Sequence, residues 1–290
     1  MRYAALAVVI SSAFAQPRFQ DAKVENRAVT GTLGSAFRAI VNLQTPPAWI
    51  AYAVPQIPGD RNMCCFTSIN GISWQGCSLE PGNRDLTISP GGSATVHLED
   101  AAEFYVFYRV EDRKVGKIRN FSVDCNIDAG GLPVVWLSQV NPAQSVALLE
   151  SLIPAGTPAS DAREDLRIAN AAISAIGMHR DPAATPALLR LAHHASATVR
   201  SQALSWLAQT ASRQISESAI RAAIEQEPDT GVKRKAVSAL TQMKNGEGVP
   251  LLIEIARTNR NAAVRKQAMT QLGNSRDPRA VKFFEDLLTR

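Results

Sequence analysis

The sequence lacks a long apolar run after its first residues, which excludes a membrane-spanning helix in its main part. Such a helix needs about 20 consecutive apolar residues, and no stretch beyond residue 15 reaches that length. A phosphate-binding glycine loop and a Gly-x-Ser-x-Gly nucleophile elbow are also missing. No motif therefore assigns a catalytic residue, a metal site or a cofactor, and we expect none of them.

Residues 1–15 are typical of a secretory signal peptide. Arg2 supplies a positive end, residues 4–10 form a short apolar run, and Ala13-Phe14-Ala15 matches a small-x-small cleavage site. We expect cleavage after Ala15 and a periplasmic or extracellular location. A cytosolic protein with an apolar start is the alternative.

Cysteine is scarce, and all four cysteines precede residue 140: Cys64, Cys65, Cys77 and Cys125. An even number in an exported domain favours two disulfides. Because adjacent residues on a strand point to opposite faces, we expect Cys64 and Cys65 to bond different partners, drawn from Cys77 and Cys125. Free thiols and a metal site are the alternatives, although the close paired spacing of zinc sites is missing.

The charge of the chain is concentrated in its second half. Residues 16–140 hold 11 Lys or Arg and 12 Asp or Glu, a net of −1, whereas residues 141–290 hold 19 and 14, a net of +5. This excess is well below that of a dedicated nucleic-acid binder. It fits an acidic protein, an anionic polymer or a membrane surface, and we expect a protein partner and no nucleic acid.

The sequence periodicity changes near residue 140. Before that point, stretches rich in β-branched and aromatic residues predict strands, with a hairpin connection between the last two; they cover residues 49–54, 94–98, 104–110 and 115–123. Residues 33–43 fit either a strand or a short helix. After about Pro142 helical patterns take over. We therefore predict an α+β chain, with a β-rich, disulfide-containing domain over residues 16–140 and an α-solenoid over residues 141–290.

A hydrophobic signature recurs four times in the second half. Each copy has an apolar lead residue, Ala four residues later, another apolar residue at five, and Leu or Ile at eight. The leads are spaced by 31, 33 and 32 residues, at Ile168, Val199, Val232 and Val264. This period is typical of stacked helical repeats. Three residues before each lead stands a residue that favours the N-cap of a helix, namely Asp165, Ser196, Asp229 and Asn261.

The second half resembles a HEAT-repeat array, in particular the short HEAT-like variety also found in phycobilisome-lyase proteins. The resemblance rests on Asp181-Pro182, Val199-Arg200 with Ala203-Leu204, and Val264-Arg265 with Leu272-Gly273. It implies a right-handed stack of helix pairs with a binding face, and it carries over no catalytic residue. The helix that begins at Pro278 would cap the stack.

A helical wheel separates the core of the array from its surface. Arg200 falls within the apolar arc together with its equivalents Lys233 and Arg265, so we expect a ladder of ion pairs between adjacent repeats. The opposite arc is a polar strip that is basic in the later repeats. Its residues are Ser201, Gln202, Ser205 and Gln209, then Arg234, Lys235, Ser238 and Gln242, then Lys266, Gln267, Thr270 and Asn274. Its binding candidates are Gln202, Arg234, Lys235 and Lys266. Ordinary solvated helix surface is the alternative explanation.

Trp206 breaks the repeat pattern. The other copies carry Ala175, Ala239 and Gln271 at this position, so the repeat does not require a large ring there. Because Trp is enriched among interface hot spots, Trp206 is a candidate binding anchor. Alternatively, the ring fills a gap or covers the junction with a neighbouring helix.

These observations predict an exported, non-enzymatic binding or scaffold protein that recognises a protein or anionic partner through its repeats. The alternative is an enzyme whose site lies in the N-terminal domain or at the domain junction, with the repeats presenting substrate. A carboxylate with a strongly raised pKa in a deep pocket of the β-rich half would favour that alternative. A third hypothesis is an envelope structural component that self-associates through the polar strip.

Overall fold

A computed structural model of the chain describes residues 18–59, 63–64, 66–69, 72–75, 77–80, 102–123, 125–156 and 163–289. The expected signal peptide and the strand expected over residues 94–98 lie outside this range. None of the helices in the described residues has the length and apolar character that a membrane crossing requires.

The first half of the chain is rich in strands, as predicted. Its described strands are β1 (Arg18–Gln20), β2 (Lys23–Ala28), β3 (Ala48–Pro55), β4 (Phe66–Ile69), β5 (Ile72–Gln75), β6 (Cys77–Ser78), β7 (Glu103–Glu111), β8 (Lys114–Ser122), β9 (Asn126–Asp128) and β10 (Pro133–Ser138). Residues 33–43, which fitted either a strand or a helix, form helix α1 (Leu33–Leu43).

A five-stranded sheet with the order β2-β10-β3-β7-β8 forms the centre of this half. Strand β10 pairs in parallel with both β2 and β3, whereas β3, β7 and β8 pair antiparallel. The hairpin between β7 and β8 turns at Asp112 and Arg113, whose φ angles are 49° and 61°. Two successive residues in the left-handed region are typical of a type I′ turn, which confirms the expected hairpin connection.

The two faces of this sheet contribute to separate apolar clusters. Alternation along β3 sends Trp49 and Ala51 to one cluster, which also contains Cys77 and Ile127 from the small β1-β9-β6 sheet and the adjacent Leu79 and Cys125. It sends Ile50, Tyr52 and Val54 to the other, which continues without a break into the helices as far as Phe283. The apolar core is therefore continuous across the boundary predicted near residue 140.

A disulfide joins Cys64 to Cys125. Cys77 is also disulfide-bonded, and Cys65 lies outside the described residues. The bond from Cys64 links the segment before β4 to the segment before β9, and Cys77 and Cys125 are both buried in the smaller cluster. The N-terminal half thus has the disulfide character that its cysteines predicted.

The second half of the chain is helical. Its helices are α2 (Pro142–Ser151), α3 (Arg163–Met178), α4 (Ala184–Leu191), α5 (Ala197–Thr210), α6 (Arg213–Gln226), α7 (Thr230–Ala239), α8 (Val249–Thr258), α9 (Ala262–Gly273) and α10 (Pro278–Leu288). The four lead residues lie on α3, α5, α7 and α9, and each of these helices packs against the next. Helices α2, α4, α6 and α8 pack against their partners as the first members of the pairs. The chain therefore combines a sheet-rich N-terminal part with a stack of helix pairs.

Helix capping follows the predicted positions in three repeats. Asp229 and Asn261 are N-caps whose side chains accept bonds from the first backbone N–H groups of α7 and α9. Ser196 is the N-cap of α5 but makes no capping bond with its side chain. Asp165 was wrongly predicted as a cap, because α3 already includes Arg163 and Asp165 lies in its first turn. Its negative charge in the first turn still interacts favourably with the helix dipole.

Candidate binding surfaces of the repeat array

The polar strip runs across the second helices α5, α7 and α9, and hydrogen bonds between side chains link its members. Gln209 of α5 donates to Gln242 over 3.0 Å. Gln267 of α9 donates to Ser238 of α7 over 2.9 Å and accepts from Arg234 over 3.3 Å. These bonds join neighbouring repeats along the surface, so part of the strip is ordered by its own contacts.

A shallow groove of about 240 Å³ lies between α5 and α7 within this strip. Its lining includes Gln202 and Ser205 on one side and Lys235, Ser238 and Gln242 on the other. Two of the predicted binding residues, Gln202 and Lys235, therefore face the same groove. Arg234 and Lys266 lie outside its lining, and both are exposed.

Lys235 and Lys266 are exposed cations on adjacent repeats. Across the described part of the chain, neither ammonium group has a hydrogen bond or an ion pair, whereas Arg234 is bonded to Gln267. An ammonium group without a protein partner gives up hydration, but no bond within the protein, when it meets an anionic group. The strip thus offers two positive charges beside a groove lined by amides and hydroxyls.

The expected ladder of ion pairs forms in only one of the three repeats. Arg200 makes a two-pronged bond to Glu227, with distances of 2.7 and 2.8 Å, and its remaining nitrogen reaches the carbonyls of His194 and Ala195. Arg265 instead donates to the carbonyls of Asn259 and Arg260.

The residue that lies two positions before each N-cap explains why the ion pair forms in only one of these three repeats. Glu227, two before Asp229, accepts from the backbone N–H of that cap, and Asn259, two before Asn261, does the same. His194 has this role before Ser196 through its Nδ1. Only Glu227 among these three is a carboxylate, so only Arg200 gains an ionic partner. Lys233 reaches only the carbonyl of Glu225, over 3.4 Å.

The ring of Trp206 packs against Gly177 of the preceding second helix, α3. A Cβ atom added at Gly177 would lie 2.2 Å from the ring, so the close approach requires glycine at this position. Trp206 is partly buried and contacts the main apolar core. This contact gives the ring a packing role at the junction of two repeats, while its role as a binding anchor stays a prediction.

A larger cleft of about 920 Å³ lies between α4 and α6, on the first helices of the pairs. Its floor is mainly apolar, with Leu189, Leu204, Ile215 and Ala219 among the lining residues. The sequence does not indicate this cleft, because partly exposed apolar residues on α6 have the same spacing as core residues. At its edge Arg200 and Glu227 are bonded to each other. His194 uses both ring nitrogens, on Ser196 and Pro154.

A chain of buried polar groups joins the sheet to the first repeats. Tyr108 bonds Tyr52, Tyr52 bonds Ser145 over 2.7 Å, and Ser145 bonds His179 Nε2 over 2.9 Å. Nδ1 of His179 lies 2.7 Å from the carbonyl of Ala175. Because a carbonyl only accepts, Nδ1 carries the proton and Nε2 of the neutral ring accepts from Ser145. Ser145 in turn accepts from Tyr52, and Tyr52 accepts from Tyr108.

Burial shifts the pKa values of the two tyrosines and the histidine in the direction that favours their neutral forms. It raises the pKa of Tyr52 to about 12 and lowers the pKa of His179 to about 4. Burial also raises the pKa of Tyr108, and the neighbouring Tyr52 adds to that shift. Ser145 and His179 are only 0% and 2% exposed, and they line neither cleft. We interpret the pair as structural, since a nucleophile and its base must reach substrate.

The described carboxylates of the β-rich half include one with a raised pKa. Desolvation raises the pKa of Glu103, but this residue lines neither of the two clefts. Three further carboxylates of this half that could serve in acid–base chemistry, Glu99, Asp100 and Asp124, lie outside the described residues. Within the residues that are described, no group of three or more His, Cys, Asp or Glu is placed to hold a metal ion.

Comparison with known proteins agrees with the helical architecture. None of the curated proteins compared with the chain matches it. A family model for HEAT repeats matches residues 217–290, which include α7 to α10 and most of α6. Together with the stacked helix pairs, this match identifies the C-terminal part of the chain as a HEAT-repeat array, an architecture suited to binding other proteins.

Proposed function

We propose that this chain is an exported, non-enzymatic binding protein whose polar strip on α5, α7 and α9 recognises an acidic protein partner. The observation that carries the proposal is the pair of exposed lysines on adjacent repeats, Lys235 and Lys266, which have no partner among the described residues. The net charge of +5 over residues 141–290 supports the same polarity of partner.

Rigidity of the surface favours such a role. The second helices pack against one another in series, and bonds such as Gln267 to Ser238 order the side chains between repeats. A preformed surface loses less conformational entropy when it binds. The groove lined by Gln202, Ser205 and Lys235 adds hydrogen-bonding groups beside the charges.

The α4–α6 cleft supports this function less well. Its charged groups already satisfy each other, since Arg200 and Glu227 are paired, and His194 is bonded through both ring nitrogens. Its further polar lining includes the uncharged Gln214, Ser218 and Gln226, and Arg200 is the only Lys or Arg in the lining, so the cleft offers an acidic partner no unpaired cation of these types.

Export is supported by the cysteines and by the first residues. A disulfide joins Cys64 to Cys125, and Cys77 is bonded as well. Structural disulfides persist in oxidising compartments and are rare in the cytosol. The secretory pattern of residues 1–15 points to the same compartments.

The test is affinity capture from envelope and secreted extracts with the full mature chain as bait, followed by mass spectrometry. We expect the Lys235→Glu, Lys266→Glu double variant to lose a specific, acidic partner. The matched control is Lys23→Glu with Lys114→Glu, which changes the net charge equally at two exposed sheet-side lysines. If both double variants lose the partner equally, the effect is due to net charge alone. If both retain it, the strip is not the binding surface.

A further inference from the structure

Helix α10 exposes an unusual concentration of apolar side chains. Val281, Leu287 and Leu288 are 52%, 42% and 88% exposed. They are three of the five large apolar residues that the described part of the chain exposes, the other two being Val24 and Leu43. An exposed apolar cluster on one short element marks an interaction surface more often than scattered single residues do.

The apolar face of α10 is wider than the surface that the array covers. At about 100° per residue, its apolar side chains span an arc of roughly 160°. Ala280 and Phe283, on one side of that arc, are buried at 1% and 2% exposure. Val281, Phe284 and Leu288 occupy the other side, where Phe284 is only partly buried. These last three residues are named here the α10 stripe.

The charges of α10 are divided along its length. Arg279 and Lys282 lie in its first half, and Glu285 and Asp286 in its second half. Of these charges, Lys282 and Glu285 lie on one flank of the stripe, whereas Arg279 and Asp286 point away from it and Arg279 is paired with Asp277. Two antiparallel copies bring this flank of each beside the same flank of the other, so that Lys282 approaches Glu285 of the second copy. A parallel arrangement would place the two flanks on opposite sides of the contact and lose this pairing.

We propose that the α10 stripe is the contact surface for a second copy of this chain, with the two α10 helices antiparallel about a two-fold axis. In this arrangement Val281 of one copy faces Leu288 of the other. The two Phe284 rings meet beside the axis, and Lys282 lies near Glu285 of the second copy. An isologous contact of this kind closes on itself and gives a dimer.

The size of the stripe sets the strength of the dimer. The eleven residues of α10 span about 16 Å at 1.5 Å per residue. A single helix pair of this length buries less than the roughly 800 Å² per partner of a standard stable interface. We therefore expect reversible association with a dissociation constant in the micromolar range or weaker. This contact is separate from the polar strip, so it stands or falls independently of the proposed function.

Sedimentation velocity of the full mature chain between about 1 and 500 µM tests the proposal. We expect a monomer–dimer equilibrium that Leu288→Glu weakens by roughly tenfold or more, since burial of a carboxylate in the contact is unfavourable. The matched control is Leu43→Glu. Leu43 is likewise the last residue of its helix, α1, and is 83% exposed, so its replacement should leave the equilibrium unchanged.

Charge reversal tests the antiparallel geometry. Lys282→Glu and Glu285→Lys should each weaken the dimer, and the two changes combined in one chain should restore it. Melting temperatures of the monomers separate this effect from the local ion pair between Lys282 and Asp286. A chain that stays monomeric at every concentration overturns the proposal. So does a dimer that responds equally to Leu43→Glu and Leu288→Glu, or one that the combined charge reversal fails to restore.

Discussion

Two buried serines illustrate how the junction between sheet and array differs from the interior of the array. Ser145 in α2 and Ser216 in α6 are both 0% exposed. Ser145 connects two other side chains, Tyr52 and His179, whereas Ser216 donates only to the backbone carbonyls of Leu207 and Ser212. The junction thus depends on a chain of mutually dependent side chains, whereas this serine inside the array depends on the backbone alone.

The first prediction tests that difference directly. Ser145→Ala leaves the Tyr52 hydroxyl and His179 Nε2 buried without their partner, so we expect it to lower the free energy of unfolding by about 3 kcal/mol. Ser216→Ala should cost about 1 kcal/mol, because no other side chain depends on it. Urea denaturation of both variants measures the two values. Equal losses would mean that the junction is no more demanding than the array.

The second prediction concerns pH. The folded pKa of His179 is about 4, below its ordinary value of 6.5, so the unfolded chain binds the proton more readily between these values. The contribution of His179 to stability is therefore complete above pH 6.5 and is lost as the pH falls towards 4, by up to about 3 kcal/mol.

Urea denaturation at a series of pH values checks this expectation. His179→Gln should flatten the dependence of the unfolding free energy between pH 6.5 and 4. The matched control is His193→Gln, the same replacement at an exposed histidine, and its slope is compared with that of His179→Gln. An unaltered slope in His179→Gln would assign the acid sensitivity to other groups.

The third prediction concerns Trp206, whose large ring has no counterpart at the equivalent position of the other repeats. Trp206→Ala should cost about 2 kcal/mol of stability, because the ring covers Gly177 and contacts the core. Gly177→Ala should destabilise the unchanged protein and be tolerated when Trp206 is already Ala, which a double-mutant cycle measures. An unchanged melting temperature in Trp206→Ala, together with loss of the captured partner, would instead make this residue a binding anchor.

The fourth and smallest effect concerns the ion pairs of the array. Arg200 and Glu227 have side chains that are 15% and 7% exposed, so Glu227→Gln should cost about 1 kcal/mol. Glu217→Gln breaks the more exposed pair with Arg213 and should change the melting temperature very little. Similar effects of the two variants would show that partial burial adds nothing to the Arg200 pair.

The sequence predicted the repeated features of the fold much better than the features that occur once. Ile168, Val199 and Val232 each have an equivalent in the next repeat, so their common spacing identified the stacked helices. Asp229 and Asn261 were recognised as caps for the same reason. By contrast, the pairing of β10 with β2 and β3 depends on contacts over more than 80 residues of chain, which local patterns do not encode.

Side-chain contacts that occur only once among the described residues could likewise not be predicted from the sequence. Nothing near Ser145 indicates that Tyr52 and His179 meet it, because each lies on a different element. The ladder of ion pairs was expected from the cations alone, and it failed where Asn259 replaces the carboxylate of Glu227. For the candidate surface, the polar strip was read correctly as a helix face, but its groove and the α4–α6 cleft arise from the spacing between helices.

Site-specific photo-cross-linking in the full chain tests the central claim, that the polar strip is the surface that binds the partner, most directly. A photoreactive residue replaces Gln202 in the strip, Ser218 in the α4–α6 cleft, or Asp112 in the β7–β8 hairpin, and cross-linked products are identified by mass spectrometry. We predict that position 202 alone captures the partner, and that Lys235→Glu with Lys266→Glu abolishes the product. Capture from position 218 or 112 with none from 202 would contradict the account.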